Sequence, residues 1–183
     1  ISLVLKERRV QMSLFSHIRK SEQPIPLSKA ILHTAIITCL GLMTGVLIKL
    51  LDIYTTNLGN IFSQVSVWIF LCTLISVYSN SAIRAAVNVF GFCMGMLLTY
   101  YITAEMTASV YSLTFVYGWT IFALFSPLMG FCVWYSKGKS WVSRIISIGI
   151  IIVMLVASIV LFDKIRVSDI LFAVLTGFIL FEK

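Results

Sequence analysis

The stretch AAVNVFGFCMGMLLTYYIT, residues 85–103, decides the fold because its 19 residues include no acidic or basic side chain. A helix of that length covers the roughly 30 Å hydrocarbon core of a bilayer. Apolar residues make up 60% of the 183-residue chain and charged residues only 11%, and the mean hydropathy is +1.02. A water-soluble domain of this size cannot bury so much apolar surface. The sequence therefore predicts an integral membrane protein.

Five further apolar segments accompany this one and predict an all-α fold, a polytopic transmembrane helix bundle. The six segments are residues 31–51, 61–78, 85–103, 113–135, 145–162 and 170–181. The first five are long enough to span a bilayer, whereas the sixth has 12 residues, about 18 Å of helix, and is short or truncated. We expect residues 1–30 to form a basic tail and residues 31–183 to form the bundle.

The distribution of basic residues predicts that both termini lie in the cytoplasm. Of the 14 Lys and Arg residues, 11 fall on that side of the predicted topology, and positive charge favours the cytoplasmic face. These 11 are six residues of the tail together with Arg84, Lys137, Lys139, Arg144 and Lys183. The opposite side holds Lys49, Lys164 and Arg166.

The tail carries an apolar stripe at helical spacing, formed by Leu3, Val10, Leu14 and Ile18. The stripe predicts an amphipathic helix on the membrane surface, and a frayed basic tail is the alternative. The net charge of +7 arises from this tail and from short loops. We therefore expect the lipid bilayer as a partner and no nucleic acid.

The four cysteines lie in different apolar segments without a CxxC spacing: Cys39, Cys72, Cys93 and Cys132. We expect reduced, slowly reacting side chains that serve packing. The chain has only seven Asp and Glu residues, in the tail or near the predicted interfaces. The sequence therefore predicts no metal site and no cofactor.

Polar residues within the apolar segments are candidates for ligand binding, because burying them in lipid is costly. Thr38, Asn88 and Ser126 are expected on the cytoplasmic half, where they form either a ligand vestibule or interhelical hydrogen bonds. Pro127 follows Ser126 and has no amide hydrogen for the carbonyl of Ala123, so a kink is expected and that carbonyl needs another partner.

A second candidate site lies at the predicted outer face. Lys49, Asp52 and Glu105 are the ionisable residues there, and together they would receive a charged ligand. The alternative is that Lys49 and Asp52, three residues apart on one helix, pair with each other or that Lys49 extends to the interface.

Two glycine motifs predict a helix contact. Gly41 and Gly45 lie in the first segment, and Gly91 and Gly95 lie in the third, each pair four residues apart. Such pairs place two glycines on one helix face and allow a second backbone to approach closely. We therefore expect the first and third helices to be neighbours.

One pair of residues would fit an intramembrane enzyme. His33 and Cys39 lie in the first segment, six residues apart. A Cys–His peptidase would need both side chains on one face or a contribution from another helix. The sequence contains no other enzyme motif that we recognise, so no catalytic residue is assigned.

Two stretches resemble a family of small bacterial, clostridial-type multi-pass membrane proteins of unassigned function. They are YSNSAIRAAVNVFGFCMGMLLTYY (78–101) and WTIFALFSPLMGFCVWYSKGKSW (119–141). The resemblance implies a location in the bacterial cytoplasmic (inner) membrane and carries no activity. The six-segment plan is also similar to the substrate-binding subunits of energy-coupling-factor vitamin importers, at the level of fold and without their AxxxA pattern.

These features together predict a small transport-related permease or a solute-binding membrane subunit. The expected partners are a small solute or a lipid, and a partner membrane subunit or a second copy of the chain. The alternative is a non-catalytic interaction subunit held by the glycine motifs, and an intramembrane Cys/His enzyme is a further alternative.

Overall fold

The structure, a computed structural model, describes residues 18–20, 25–55, 61, 64–109 and 111–182. The described residues form six α-helices and no strand, which confirms the all-α fold. The helices are α1 (Leu27–Tyr54), α2 (Val65–Val77), α3 (Ala82–Met106), α4 (Leu113–Trp134), α5 (Trp141–Phe162) and α6 (Val167–Phe181), with a 3₁₀ turn at Tyr135–Lys137. Most of the tail, with Leu3, Val10 and Leu14, lies outside the described residues.

Four of the helices are long and apolar enough to cross a membrane: α1, α3, α5, and α4 extended to Lys137. Several helices are longer than the apolar segments that predict them. For example, α1 begins at Leu27, directly after Pro26, because Ser28 and Lys29 are compatible with a helix although they are polar. At the start of α3, the Ser81 side chain accepts a hydrogen bond from the Arg84 amide and caps the helix.

The two short helices, α2 and α6, lie side by side and run in the same direction. With 13 and 15 residues they are about 20 and 22 Å long. Near their N-terminal ends the Ser66 hydroxyl donates to the buried carboxylate of Asp169. One turn further on, the rings of Phe70 and Phe172 lie 5.4 Å apart. α2 is therefore shorter than the predicted segment 61–78 and is paired along its length.

The closest helix contact in the bundle is a seam between α1 and α3, formed by the two glycine motifs. A Cβ atom on Gly41 would collide with the carbonyl oxygen of Phe92, and one on Gly45 with the carbonyl oxygen of Met96. From the other side, a Cβ on Gly95 would lie 3.0 Å from the carbonyl oxygen of Thr38. The backbones can approach this closely only because these positions lack side chains.

The proline in α4 does not interrupt the helix, which continues from Leu113 to Trp134. The carbonyl of Ala123, which Pro127 leaves without an amide donor, accepts a 2.7 Å hydrogen bond from the Ser126 hydroxyl. Ser126 and Ala123 are both buried. The hydroxyl thus supplies a donor for a carbonyl that is buried within the bundle.

All four cysteines are free thiols. The Sγ atoms of Cys72 on α2 and Cys93 on α3 lie 3.5 Å apart. The sequence spacing does not reveal this proximity, because it depends on how α2 and α3 pack together. Cys39 and Cys132 are exposed on the bundle surface.

At one end of the bundle, here called the Trp134 end, basic side chains bind the last carbonyls of three helices. Arg19 donates to the carbonyls of Val77 (3.0 Å) and Trp134 (2.8 Å), which end α2 and α4. Lys137 donates to the carbonyl of Glu182, just after α6. These carbonyls have no partner within their helices, and the helix dipole adds to the attraction for a cation.

We predict that Gly41→Ala lowers the free energy of unfolding by about 1–3 kcal/mol, because the added methyl overpacks the seam. The control is Gly149→Ala on α5, where a Cβ would meet nothing within 4 Å. That change should be neutral, or stabilise by up to about 1 kcal/mol through helix propensity. Thermal melting of both variants in one detergent tests this, and equal melting temperatures would contradict the seam.

We further predict that Arg19→Ala destabilises the protein by about 1–3 kcal/mol, because it leaves helix-terminal carbonyls of α2 and α4 without their charged donor. Lys20→Ala is the matched control, since Lys20 is the next residue and is exposed. It should shift the melting temperature little. A similar loss in both variants would mean that Arg19 acts only through the net charge of the tail.

Candidate functional site: an aromatic chamber

A cavity of about 430 Å³ lies at the end of the bundle opposite Trp134, which we call the Asp52 end. We call this cavity the chamber. Its walls come from α1 to α5 and from the residues just before α4. Seven of the lining side chains are aromatic: Trp68, Tyr100, Tyr101, Tyr111, Phe115, Trp119 and Phe162. Pockets of this size and lining are typical of small-molecule sites.

An ion pair supplies the charge in the chamber. The Nζ atom of Lys49 lies 3.0 Å from Oδ2 of Asp52, one turn along α1. The Tyr100 hydroxyl donates to the same oxygen at 3.3 Å, and Nζ lies 5.1 Å from the centroid of the Tyr100 ring. The Lys49 side chain is 3% exposed, whereas that of Asp52 is 36% exposed. The carboxylate is therefore the charge that a ligand can reach.

The aromatic walls are packed against one another. The rings of Trp68 and Trp119 stack at 4.8 Å, and Tyr101 lies edge-on to Tyr100 and next to Tyr111. Ring faces attract cations, and their apolar area binds flat or hydrocarbon groups. The chamber thus combines one accessible carboxylate with surfaces that favour an organic cation or an apolar body.

Glu105 does not line the chamber but is linked to it. Its carboxylate accepts a hydrogen bond from the hydroxyl of Tyr111, and this bond raises the pKa of Tyr111. Glu105 itself lines a second, neighbouring cavity on the outer side of α3. The structure therefore places Lys49 and Asp52 in one site and Glu105 at its margin.

The other predicted ligand residues lie elsewhere. Asn88 accepts from Thr34 on α1 at 2.7 Å and donates to Ser79 at 3.1 Å. The Thr38 hydroxyl donates to the Thr34 carbonyl of its own helix, and Ser126 bonds within α4 as described above. Thr38, Asn88 and Ser126 line neither of the two cavities. Asn88 thus links α3 to α1 and to the turn before α3, whereas the Thr38 and Ser126 hydroxyls donate within their own helices.

His33 and Cys39 do not form a catalytic pair. Both are exposed on α1, and six residues of continuous helix separate them by about 9 Å along the axis. Among the described residues, no group of three His, Cys, Asp or Glu side chains is placed to hold a metal ion.

Most of the chamber wall is not apparent from the sequence. Trp68 and Trp119 can be interpreted from the sequence as packing residues, and the tyrosines as interfacial anchors. One signal was available: Tyr100, Tyr101 and Tyr111 fall at the same predicted boundary as Lys49 and Asp52. Several aromatic residues beside an ion pair at one predicted membrane boundary indicate a candidate binding site in addition to anchoring of the helices.

No curated protein and no solved structure matches this chain. A family model, described as a family of unknown function (DUF6518), matches residues 24–166, which contain α1 to α5 and all the chamber residues. This agrees with the expected membership of a family without assigned function. The chain belongs to the DUF6518 family of unknown function.

Proposed function

We propose that this protein is an integral membrane protein that binds a small ligand in the chamber, as a transport-related permease or a solute-binding membrane subunit. The observation that carries the proposal is the aromatic cavity of about 430 Å³ with the Lys49–Asp52 pair in its wall. Helices that only packed against one another would close such a volume with side chains, because protein interiors are close-packed.

The membrane location is supported by the four long apolar helices and by their exposed apolar surfaces. The proposed orientation puts the Trp134 end in the cytoplasm, because Arg19, Arg84 and Lys137 lie there with the other basic residues. The chamber then opens at the outer side of a bacterial cytoplasmic membrane. A solute arriving from outside would meet it first.

The alternative, an interaction subunit held by the glycine motifs, is less well supported. Gly41, Gly45 and Gly95 are buried within this chain and contact its own backbone, and Gly91 lies against Thr38. The four glycines are therefore already used between α1 and α3. A partner subunit or a second copy would have to bind another surface.

We predict that the protein purified from host membranes in a neutral detergent retains a small molecule in native mass spectrometry. Asp52→Asn should lower its occupancy by about tenfold, because the accessible charge of the chamber is lost. Ser112→Trp, which adds volume at the chamber wall and leaves both members of the ion pair in the sequence, should also lower the occupancy about tenfold. Asp163→Asn is the matched control, since Asp163 is exposed and outside the chamber lining.

A wild-type protein that carries only detergent would contradict the proposal. Retention of the molecule by both folded chamber variants, at the occupancy of the Asp163→Asn control, would also contradict it. Size-exclusion profiles show which variants are folded. If Asp52→Asn destabilises the protein because the buried Lys49 loses its partner, Ser112→Trp provides the test of the chamber instead. Uptake of the identified molecule into reconstituted vesicles then separates a permease from a binding subunit.

A further inference from the structure

The second cavity extends the chamber sideways toward the surface of the bundle. It has a volume of about 490 Å³ and lies along α3, bounded by Thr120 of α4, and we call it the α3–α4 groove. Its wall is almost wholly apolar, and its outer side chains are exposed: Leu98 by 58%, Ile102 by 47% and Met106 by 82%. In a membrane-spanning bundle this surface faces lipid.

The chamber and the α3–α4 groove share part of their walls. Leu97 and Tyr101, four residues apart on one face of α3, line both cavities. Glu105, the next residue on that face, lines the groove and bonds to Tyr111 of the chamber. These side chains form a shared wall, and rotation of Leu97 and Tyr101 would join the two volumes so that a single molecule could occupy both.

The two cavities differ in chemistry. The chamber offers charge, phenol hydroxyls and aromatic faces, whereas the groove offers hydrocarbon-like surface over residues 94–106, about 18 Å along the helix. That length is comparable with one leaflet of a bilayer whose core is about 30 Å thick. A ligand complementary to both cavities has a polar head and a hydrocarbon chain.

The charges indicate which head group fits. Lys49 is buried and already bonded to Asp52, and both hydrogen bonds to Asp52 from described residues reach Oδ2. Oδ1 of Asp52 is therefore available, and Glu105 adds a second carboxylate at the margin. Among the residues that line the two cavities, one lysine and two carboxylates have formal charges that sum to −1. The aromatic faces favour ammonium groups. The head group is expected to be cationic.

We infer that the ligand is an amphiphile with an amine or quaternary ammonium head, which reaches the chamber from the bilayer and leaves its chain in the α3–α4 groove. This inference rests on the proposed function and specifies its ligand class. A membrane phospholipid with an amine head and a foreign single-chain cationic amphiphile share this chemistry.

The test is a titration of the delipidated protein, followed by native mass spectrometry. Dodecyltrimethylammonium should bind saturably, and tetramethylammonium, the head alone, about tenfold or more weakly. Asp52→Asn should weaken dodecyltrimethylammonium binding about tenfold. Ile102→Trp, which fills the groove, should weaken it as much and leave tetramethylammonium binding unchanged. Ile152→Trp on α5 is the matched control, with an exposure of 54%.

Phosphatidylethanolamine binding identifies the source of the ligand, and anionic amphiphiles test the charge of its head group. If phosphatidylethanolamine binds with the same dependence on Asp52 and Ile102, the ligand is a membrane lipid. If only dodecyltrimethylammonium does so, the ligand is a foreign amphiphile. Equal binding of phosphatidylglycerol or dodecyl sulfate would overturn the cationic head, and an Ile102→Trp variant that behaves like Ile152→Trp would overturn the use of the groove.

The outcomes distinguish this inference from the proposed function. If Asp52→Asn abolishes retention of the co-purified molecule but ammonium amphiphiles do not bind, the chamber is a binding site and the ligand class is wrong. If the chamber variants retain the co-purified molecule at wild-type occupancy, the proposed function fails, and the inference fails with it.

Discussion

Close contact between the backbones of α1 and α3 determines where the chamber forms. Gly45 lies against the Met96 carbonyl and the Thr99 hydroxyl, and that hydroxyl also donates to the carbonyl of Leu42 at 2.7 Å. One turn beyond Gly45 comes Lys49, and directly after Thr99 comes Tyr100. The glycine seam thus sets the register that places the ammonium group beside the Tyr100 ring and Asp52 under its hydroxyl. A shift of one turn would separate them.

The opposite end of the bundle shows a second use of charge. α2, α4 and α6 all end there, and their terminal carbonyls would be costly to leave without donors. Arg19 and Lys137 supply those donors from the tail and from the turn after α4. Two of the basic residues from which the sequence predicts a topology therefore also bind the carbonyls that end three helices.

The sequence predicts the helices well because length and apolarity are local properties. It misplaces their ends where polar residues such as Ser28 and Lys29 continue a helix. It finds the seam residues because a four-residue glycine spacing is also local. The sequence does not place Trp68 and Trp119 in the chamber wall. The inward face of α2 and of α4 depends on how five helices pack side by side, which is not a local property. The partners of Asn88 depend on the same packing, whereas the Ser126 hydroxyl donates to the carbonyl of Ala123 three residues back in its own helix.

A disulfide between Thr38→Cys and Gly91→Cys tests the register of the seam, in a protein whose four native cysteines are replaced. A Cβ built on Gly91 lies 3.7 Å from the Cβ of Thr38, close to the mean of about 3.8 Å in disulfides. We expect near-complete cross-linking under mild oxidation, measured as resistance to thiol alkylation by mass spectrometry. The pair Leu40→Cys and Gly91→Cys is the control, because Leu40 is exposed on the surface of α1. Absence of the first cross-link, or equal yields in both pairs, would contradict the α1–α3 register and the chamber built on it.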